Sequence, residues 1–387
     1  MIYETPPNRG IIKNMSDIES LHIPADILPR DGRFGCGPAL VRPEQLQRLA
    51  HSQLMGTSHR QAPVKNLVGD CIGRLRELFN VPSDYTVALG NGGATTFWAA
   101  ATCSLVRHRA AHAVFGEFGS KFARETQQAP FLEDSLLTTA ELGSSTLPDI
   151  AADVDVYAWP HQETSTGAIA PVKRQGDGEL VLVDATSIAG AVEVDVSQTD
   201  AYYFSLQKAL GSDGGLWFAF LSPAAVERSA EITSNPLGNR WIPSILNLST
   251  AVKNSLKNQT LNTPAVATLE LLDSQLEWLA DLGGLPAAEK RVRASSDAIY
   301  RWAESREFAE PFVHDAAKRS PVVSTIDFDE SIDTKIVLQI LRDNGVVDVN
   351  PYRSLGRNQL RIGTFPATNP EDTAALLRSL DYIVEHL

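Results

Sequence analysis

The sequence predicts an α/β protein: a large domain on a mainly parallel mixed sheet, followed by a smaller α+β domain. Three observations carry this. Short apolar strands recur at residues 113–115, 154–159, 180–183, 201–204 and 216–220, with helical or loop stretches between most of them, as the crossovers of a parallel sheet require. Asp184 and Lys208 follow the ends of two of these strands, the edge at which open α/β sheets bind ligands. Beyond residue 260 a long amphipathic helix leads into a compact mixture of strands and helices. With 387 residues the chain can bury one large core and a second, smaller one. The expected division is an N-terminal arm over 1–38 that joins the small domain, a large domain over 39–282 and a small domain over 283–387.

Residues 1–38 are rich in Pro and Gly and end in Phe34-Gly35-Cys36-Gly37-Pro38, a loop whose glycines allow close backbone approach to a ligand. From about Pro43 to Phe79 the pattern is helical, with Leu67, Val68, Cys71, Ile72, Leu75, Leu78 and Phe79 forming an apolar stripe, so Cys71 is read as core filling. A short strand over 85–89 runs straight into Gly90-Asn91-Gly92-Gly93-Ala94-Thr95-Thr96. The strands at 201–204 and 216–220 are joined by a loop too short for a crossover, so one of them is expected to be antiparallel. Leu269, Leu272, Leu276 and Leu279 mark the long helix, with Gly283-Gly284 as its stop. A strand over 322–328, a helix near 334–344, a strand over 359–362 and a helix after Asn369 complete the small domain.

The formal charge of −13 argues against nucleic acid or an anionic membrane as partner and favours a small ligand held by locally placed positive charge. Cys36, Cys71 and Cys103 cannot all pair and lack C-x-x-C spacing, so neither a disulfide framework nor a metal site is indicated. No stretch has the length and apolarity of a membrane span, and the start lacks a basic-then-apolar leader pattern. A cytoplasmic protein is expected.

A Lys and an Asp at the ends of successive strands can make a pyridoxal 5'-phosphate (PLP) site. The amine condenses with the cofactor aldehyde, and the carboxylate stabilises a protonated pyridine nitrogen. On spacing alone, two surface charges fit as well. The segment GNGGATTF has the form of a phosphate cup, with small residues, a following helix N-terminus and the hydroxyls of Thr95 and Thr96. It matches neither the Walker nor the dinucleotide pattern, and by itself a plain Gly-rich turn fits it equally.

The marks accumulate along the whole chain: Gly35-Cys36-Gly37-Pro38-Ala39, Ser58-His59-Arg60, Gly92-Gly93-Ala94-Thr95, Glu163-Thr164 with Gly167, Val183-Asp184-Ala185-Thr186-Ser187, Ser205-Leu206-Gln207-Lys208, Asn262-Thr263-Pro264 and Arg361. With these the sequence resembles the phosphoserine aminotransferases of the class V, fold-type I PLP-dependent family. The resemblance implies that Lys208 forms the Schiff base and Asp184 faces the pyridine nitrogen. It further implies that Thr164 and Gln207 contact the ring and its hydroxyl, that Ala94 and Thr95 hold the phosphate, and that Asn262 and Thr263 reach the phosphate of the other subunit's cofactor in a homodimer. Where the family often stacks a Trp on the ring, this chain has Phe118, which keeps the π-face and loses the indole donor. Arg361 matches the α-carboxylate clamp, and His59 with Arg60 the pair that receives the distal anion of substrate. The His-Arg pair that commonly precedes the C-terminal Arg is replaced by Tyr352-Arg353-Ser354-Leu355-Gly356-Arg357, which leaves the roles of Arg353 and Arg357 open. His51, His112 and His161 are read as structural.

The resemblance thus implies transfer of an amino group from L-glutamate to 3-phosphohydroxypyruvate, a step of L-serine biosynthesis. The alternative is another class V aminotransferase for small substrates, of the alanine- or serine-glyoxylate type. A cysteine desulfurase would need a nucleophilic Cys in the C-terminal half, and all three cysteines precede residue 104. A regulatory PLP-binding relative would be expected to lose the Lys.

Overall fold

The computed structural model describes residues 21–236 and 240–387. The first 20 residues of the expected arm lie outside the described residues. Nine strands belong to the first part of the chain: β1 (Thr86–Asn91), β2 (Ala110–Val114), β3 (Leu136–Thr139), β4 (Val156–Pro160), β5 (Gln162–Glu163), β6 (Ala168–Ile169), β7 (Leu180–Asp184), β8 (Ala201–Ser205) and β9 (Leu216–Leu221). Seven of them form one sheet in the order β1-β9-β8-β7-β4-β2-β3, and β5 pairs with β6 in a small hairpin. β2, β3, β4, β7 and β8 run parallel, whereas β9 is antiparallel to both neighbours, as its short link to β8 requires.

The central strands read as unbroken apolar runs because both faces are covered, and alternate residues enter different cores. Val181, Val183, Tyr202, Phe204, Phe218 and Phe220 face one cluster, joined by Leu67, Cys71 and Phe79. Leu180, Leu182, Ala201, Tyr203, Trp217 and Ala219 face the other, with Phe97, Trp98 and Phe122. Cys71 is fully buried, as its place on the helical stripe predicts.

The continuous helical reading of residues 43–79 is corrected. Helices span Pro43–Ala50 and Ala62–Leu78, and the loop between them, with Gly56 at positive φ, carries His59 and Arg60. Pro63 sits in the first turn of the second helix, where a missing N–H costs nothing. The leucine-marked helix is Val266–Leu282. Gly283 ends it in a left-handed conformation at φ 113°, and the next helix, Gly284–Glu304, begins at once. That helix places Leu285, Ala288 and Val292 in the large core and Ile299, Tyr300 and Ala303 in a third cluster.

The third cluster covers an antiparallel sheet of β10 (Ala309–Pro311), β11 (Val323–Phe328) and β12 (Gln359–Gly363), in that order, with Thr325 opposite Arg361. Helices Thr334–Asp343 and Pro370–His386 pack on it, and Ile23 and Phe34 from the start of the described chain join the same cluster. The Ile23 N–H donates to Asn344 Oδ1 at 2.9 Å and the Arg30 N–H to Asp372 Oδ1 at 2.8 Å.

Candidate active site

The carboxyl ends of the parallel strands converge on one edge, and the segments leaving them line a cavity of about 320 Å³. Gly93 to Thr95 follow β1, Phe118 follows β2, Gln162 and Thr164 follow β4, Asp184 ends β7, and Gln207 with Lys208 follow β8. Cys36, Tyr352 and Arg361 close the cavity from the N-terminal loop and the small sheet.

Lys208 is buried, and its Nζ donates to Thr164 Oγ1 and to Ser187 Oγ, each at 2.9 Å. The two hydroxyls also hydrogen-bond to each other, so the amine sits at the apex of a closed triangle. Burial lowers the Lys208 pKa to about 8; the charge of Asp184 opposes that shift without cancelling it. The amine lies 4.9 Å from the centre of the Phe118 ring. Gly37, at φ 132°, passes so close that a Cβ there would meet Lys208 Cε at 2.6 Å, which only glycine avoids.

Asp184 is held by two donors. Its Oδ2 accepts the indole N–H of Trp98 at 2.8 Å, and its Oδ1 accepts the Thr186 N–H at 2.9 Å. The Ala94 N–H opens the helix Ala94–Ser104 by donating to Ser205 Oγ at 2.7 Å. Arg361 donates from Nη1 to the Thr164 carbonyl at 3.1 Å and stacks over Tyr352 at 5.1 Å, while its Nε is buried with no hydrogen-bond partner among the described residues.

The segment Glu163–Gly167 ties these parts together. Glu163 is fully buried and its carboxylate accepts the N–H groups of Phe118 and Gly119, both at 3.0 Å, from the positive end of helix Glu117–Gln127. Burial raises its pKa, against the pull of these hydrogen bonds and of those from Ser165. Ser165 Oγ accepts the Glu117 N–H at 3.0 Å, and Thr325 Oγ1 donates to the Thr166 carbonyl at 2.7 Å. One short stretch thereby fixes Phe118, the Lys208 amine and the Arg361 guanidinium.

His59, Arg60, Asn262 and Thr263 do not line this cavity. They form a separate group near the end of β1: Thr263 Oγ1 lies 3.2 Å from His59 Nδ1, Arg60 Nη1 donates to Gln259 Oε1 at 3.2 Å, and Asn91 donates to the Thr263 carbonyl at 3.0 Å. Burial and the neighbouring Arg60 lower the His59 pKa. Arg357 is committed to Asp327, through Nε at 2.9 Å and through Nη2, and Arg353 is exposed. Tyr352, rather than either arginine, reaches the cavity. His112 and His161 are buried, with pKa values pushed down to about 3 and about 4 by burial; His51 bonds its own helix.

Four residues at the site had no individual signal in the sequence. Ser187 follows Asp184 by three positions in a turn, Cys36 reads as part of a loop, Trp98 reads as core, and Tyr352 precedes the more conspicuous Arg353.

A model of the aminotransferase class-V family matches residues 44–349. The chain belongs to the class-V aminotransferases. A Corynebacterium glutamicum protein named phosphoserine aminotransferase is 52% identical over 375 residues, covering 96% of this chain and 98% of that one. Among solved structures, the phosphoserine aminotransferase of Cytophaga hutchinsonii superposes with a TM-score of 0.84 at 22% identity, over 91% of this chain and 99% of the other. The PLP-bound phosphoserine aminotransferase of Trichomonas vaginalis superposes with 0.77 at 18% identity, over 91% of this chain and all of the other. The aminotransferase thus has the fold-type I architecture expected from its sequence.

The cavity fits PLP on its own terms. A buried amine with no salt-bridge partner among the described residues, a carboxylate with both oxygens already oriented and the start of the helix Ala94–Ser104 face a common space. The buried Gln207 Oε1 and Arg361 Nε, neither with a hydrogen-bond partner among the described residues, belong to residues lining that space.

Proposed function

We propose that this aminotransferase moves the amino group of L-glutamate to 3-phosphohydroxypyruvate, giving O-phospho-L-serine and 2-oxoglutarate, with PLP as its cofactor. The observation that carries the reading is the convergence of Lys208, Asp184 and Arg361 on one cavity, in a chain 52% identical over nearly its full length to a phosphoserine aminotransferase. Bound there, PLP supplies an aldehyde carbon that takes up the amino group and a ring that draws electron density from the substrate α-carbon.

The protein's own residues do the rest. The Lys208 amine accepts the α-proton and returns it on the other side of the transfer, and a pKa near 8 leaves it neutral often enough to act as a base. Thr164 and Ser187 hold Nζ in place. Asp184 would meet the ring nitrogen, Phe118 would cover the ring, Gln207 and Thr164 would contact the ring and its hydroxyl, and the helix start at Ala94 and Thr95, with the Thr95 N–H and hydroxyl as donors, would hold the phosphate. Arg361 grips the α-carboxylate with the two nitrogens not directed at Thr164, Nε among them.

The distal anion of either substrate needs positive charge beyond Lys208 and Arg361, the cationic side chains that the described residues of one chain bring to this cavity. We assign it to His59 and Arg60 of a second copy, with Asn262 and Thr263 reaching that copy's phosphate, in a homodimer. Trp241 is 78% exposed and Leu256 71% exposed, and Leu256 lies close in sequence to this group, as a covered face requires. The chain is taken as a large PLP-binding domain over 39–282 and a small domain over 283–387 joined by the arm 1–38, acting in the cytoplasm, where the buried thiols Cys36, Cys71 and Cys103 stay reduced.

The test is an amino-acceptor screen with L-glutamate as donor. Phosphohydroxypyruvate is expected to exceed pyruvate and glyoxylate in kcat/KM by on the order of 100-fold, the worth of two charge-assisted contacts. Equal turnover of glyoxylate would favour the small-substrate alternative.

A further inference from the structure

We infer that Trp98 is a positioning residue that fixes the Asp184 carboxylate against the ring nitrogen of the cofactor. This rests on the reading of Asp184 given above and adds a residue to it. Trp98 lies one turn into the helix Ala94–Ser104, whose first residues form the phosphate cup, and it is 3% exposed. Its ring stacks on Phe122 at 6.0 Å and 16°, which holds the indole plane. From there Nε1 donates to Asp184 Oδ2, while the Thr186 N–H takes Oδ1.

One donor on each oxygen prevents the carboxylate from turning about its Cβ–Cγ bond and leaves the remaining lone pairs for the cavity. Asp184 is 8% exposed, so water has little access to replace the indole if it is removed. Packing alone does not demand this geometry. Phe97, the preceding residue, fills the same core with no polar side-chain atom, and the equally buried Trp217 leaves its Nε1 without a partner among the described residues. An indole in this core therefore bonds only where its position aims it, and Trp98 is aimed at the residue that meets the cofactor. The same helix offers its N-terminus to the phosphate and its side chain to Asp184, so both ends of the cofactor are referred to one rigid element.

The test uses Trp98→Phe, which keeps ring packing and removes the donor, beside Asp184→Asn. In cofactor-free protein labelled with ¹⁵N, the Trp98 indole resonance is expected to move in Asp184→Asn. PLP affinity of Trp98→Phe should fall about tenfold, which at 1.4 kcal/mol per decade is part of one hydrogen bond to a charged group. The pH midpoint of the visible absorption should rise, because a less firmly held ring proton no longer disfavours protonation at the Lys208 end. PLP affinity within twofold of the parent and an unchanged midpoint, with Asp184→Asn clearly weakened, would overturn the inference and leave the cofactor site standing. If Asp184→Asn itself binds PLP as the parent does, the reading of Asp184 fails. Should Trp98→Phe not fold, the resonance decides, and an indole signal indifferent to Asp184→Asn sinks the proposal.

Discussion

The cavity around Lys208 and the group around His59 are built in opposite ways. At the first, Lys208 and Asp184 are buried and Arg361 is half-buried, and each is held by others: the amine by two hydroxyls, the carboxylate by an indole and a backbone N–H, the guanidinium by a carbonyl and a ring. At the second, Arg60 is exposed and tied to a single glutamine, and His59 shares one contact with Thr263. A folded chain thus finishes the half that handles the amino group and leaves loose the half that would read the distal anion. The difference teaches that the geometry around the amine is set by one core, whereas the group proposed to read the distal anion is held by few contacts.

The largest break in that comparison is Lys208→Ala. The variant should fold, because the amine is desolvated and makes no salt bridge among the described residues, yet multiple-turnover transamination should fall by at least a thousandfold. The yellow colour that borohydride fixes on Lys208 in the parent should be missing from the variant, as visible spectra and peptide mapping would show. Next come the arginines. Arg361→Leu should impair every amino donor and acceptor, whereas Arg60→Leu should cost about 10- to 200-fold in kcat/KM for glutamate and phosphohydroxypyruvate and little for alanine or pyruvate. Mixing the Lys208→Ala and Arg60→Leu proteins sharpens the point: if the two halves come from different copies, reassortment should restore about a quarter of parental activity, through mixed dimers with one intact site. No recovery on mixing would place Arg60 beside its own chain's Lys208. The smallest effect is on pH. Because the folded amine has a pKa of about 8 instead of 10.5, the rate of PLP capture by cofactor-free protein should rise with pH and level off above 8. A rate still climbing at pH 10 would mean that burial does not depress this amine.

Much of this was legible in the sequence because strand ends are simple signals. Asp184 and Lys208 each close an apolar run, and the short link between β8 and β9 announces its antiparallel pair. The break at residues 51–61 is hidden, since apolar spacing continues on both sides of it and a loop of eleven residues, Leu54 and Met55 among them, leaves the phase nearly intact. The edge strand β3 gives no such signal, because Leu136 and Leu137 are exposed on a four-residue element with one partner. Trp98 was invisible for another reason: its acceptor lies 86 residues away, and an indole at helical spacing beside Phe97 looks like packing. Proximity of that kind is a property of the sheet, not of either segment.

The Glu163–Gly167 stretch also bears on how such an enzyme can acquire new substrates. Five consecutive residues are buried, and their side chains or carbonyls are spoken for by Phe118, Lys208, Arg361 and Thr325. Drift is closed there, because any change disturbs several parts at once. The loop that carries Tyr352 has the contrary character, with Arg353, Ser354, Gly356 and Arg357 exposed beside an otherwise rigid cavity. Evolvability in this molecule is concentrated in that loop, where a single substitution can reshape the wall of the site and leave the chemistry untouched.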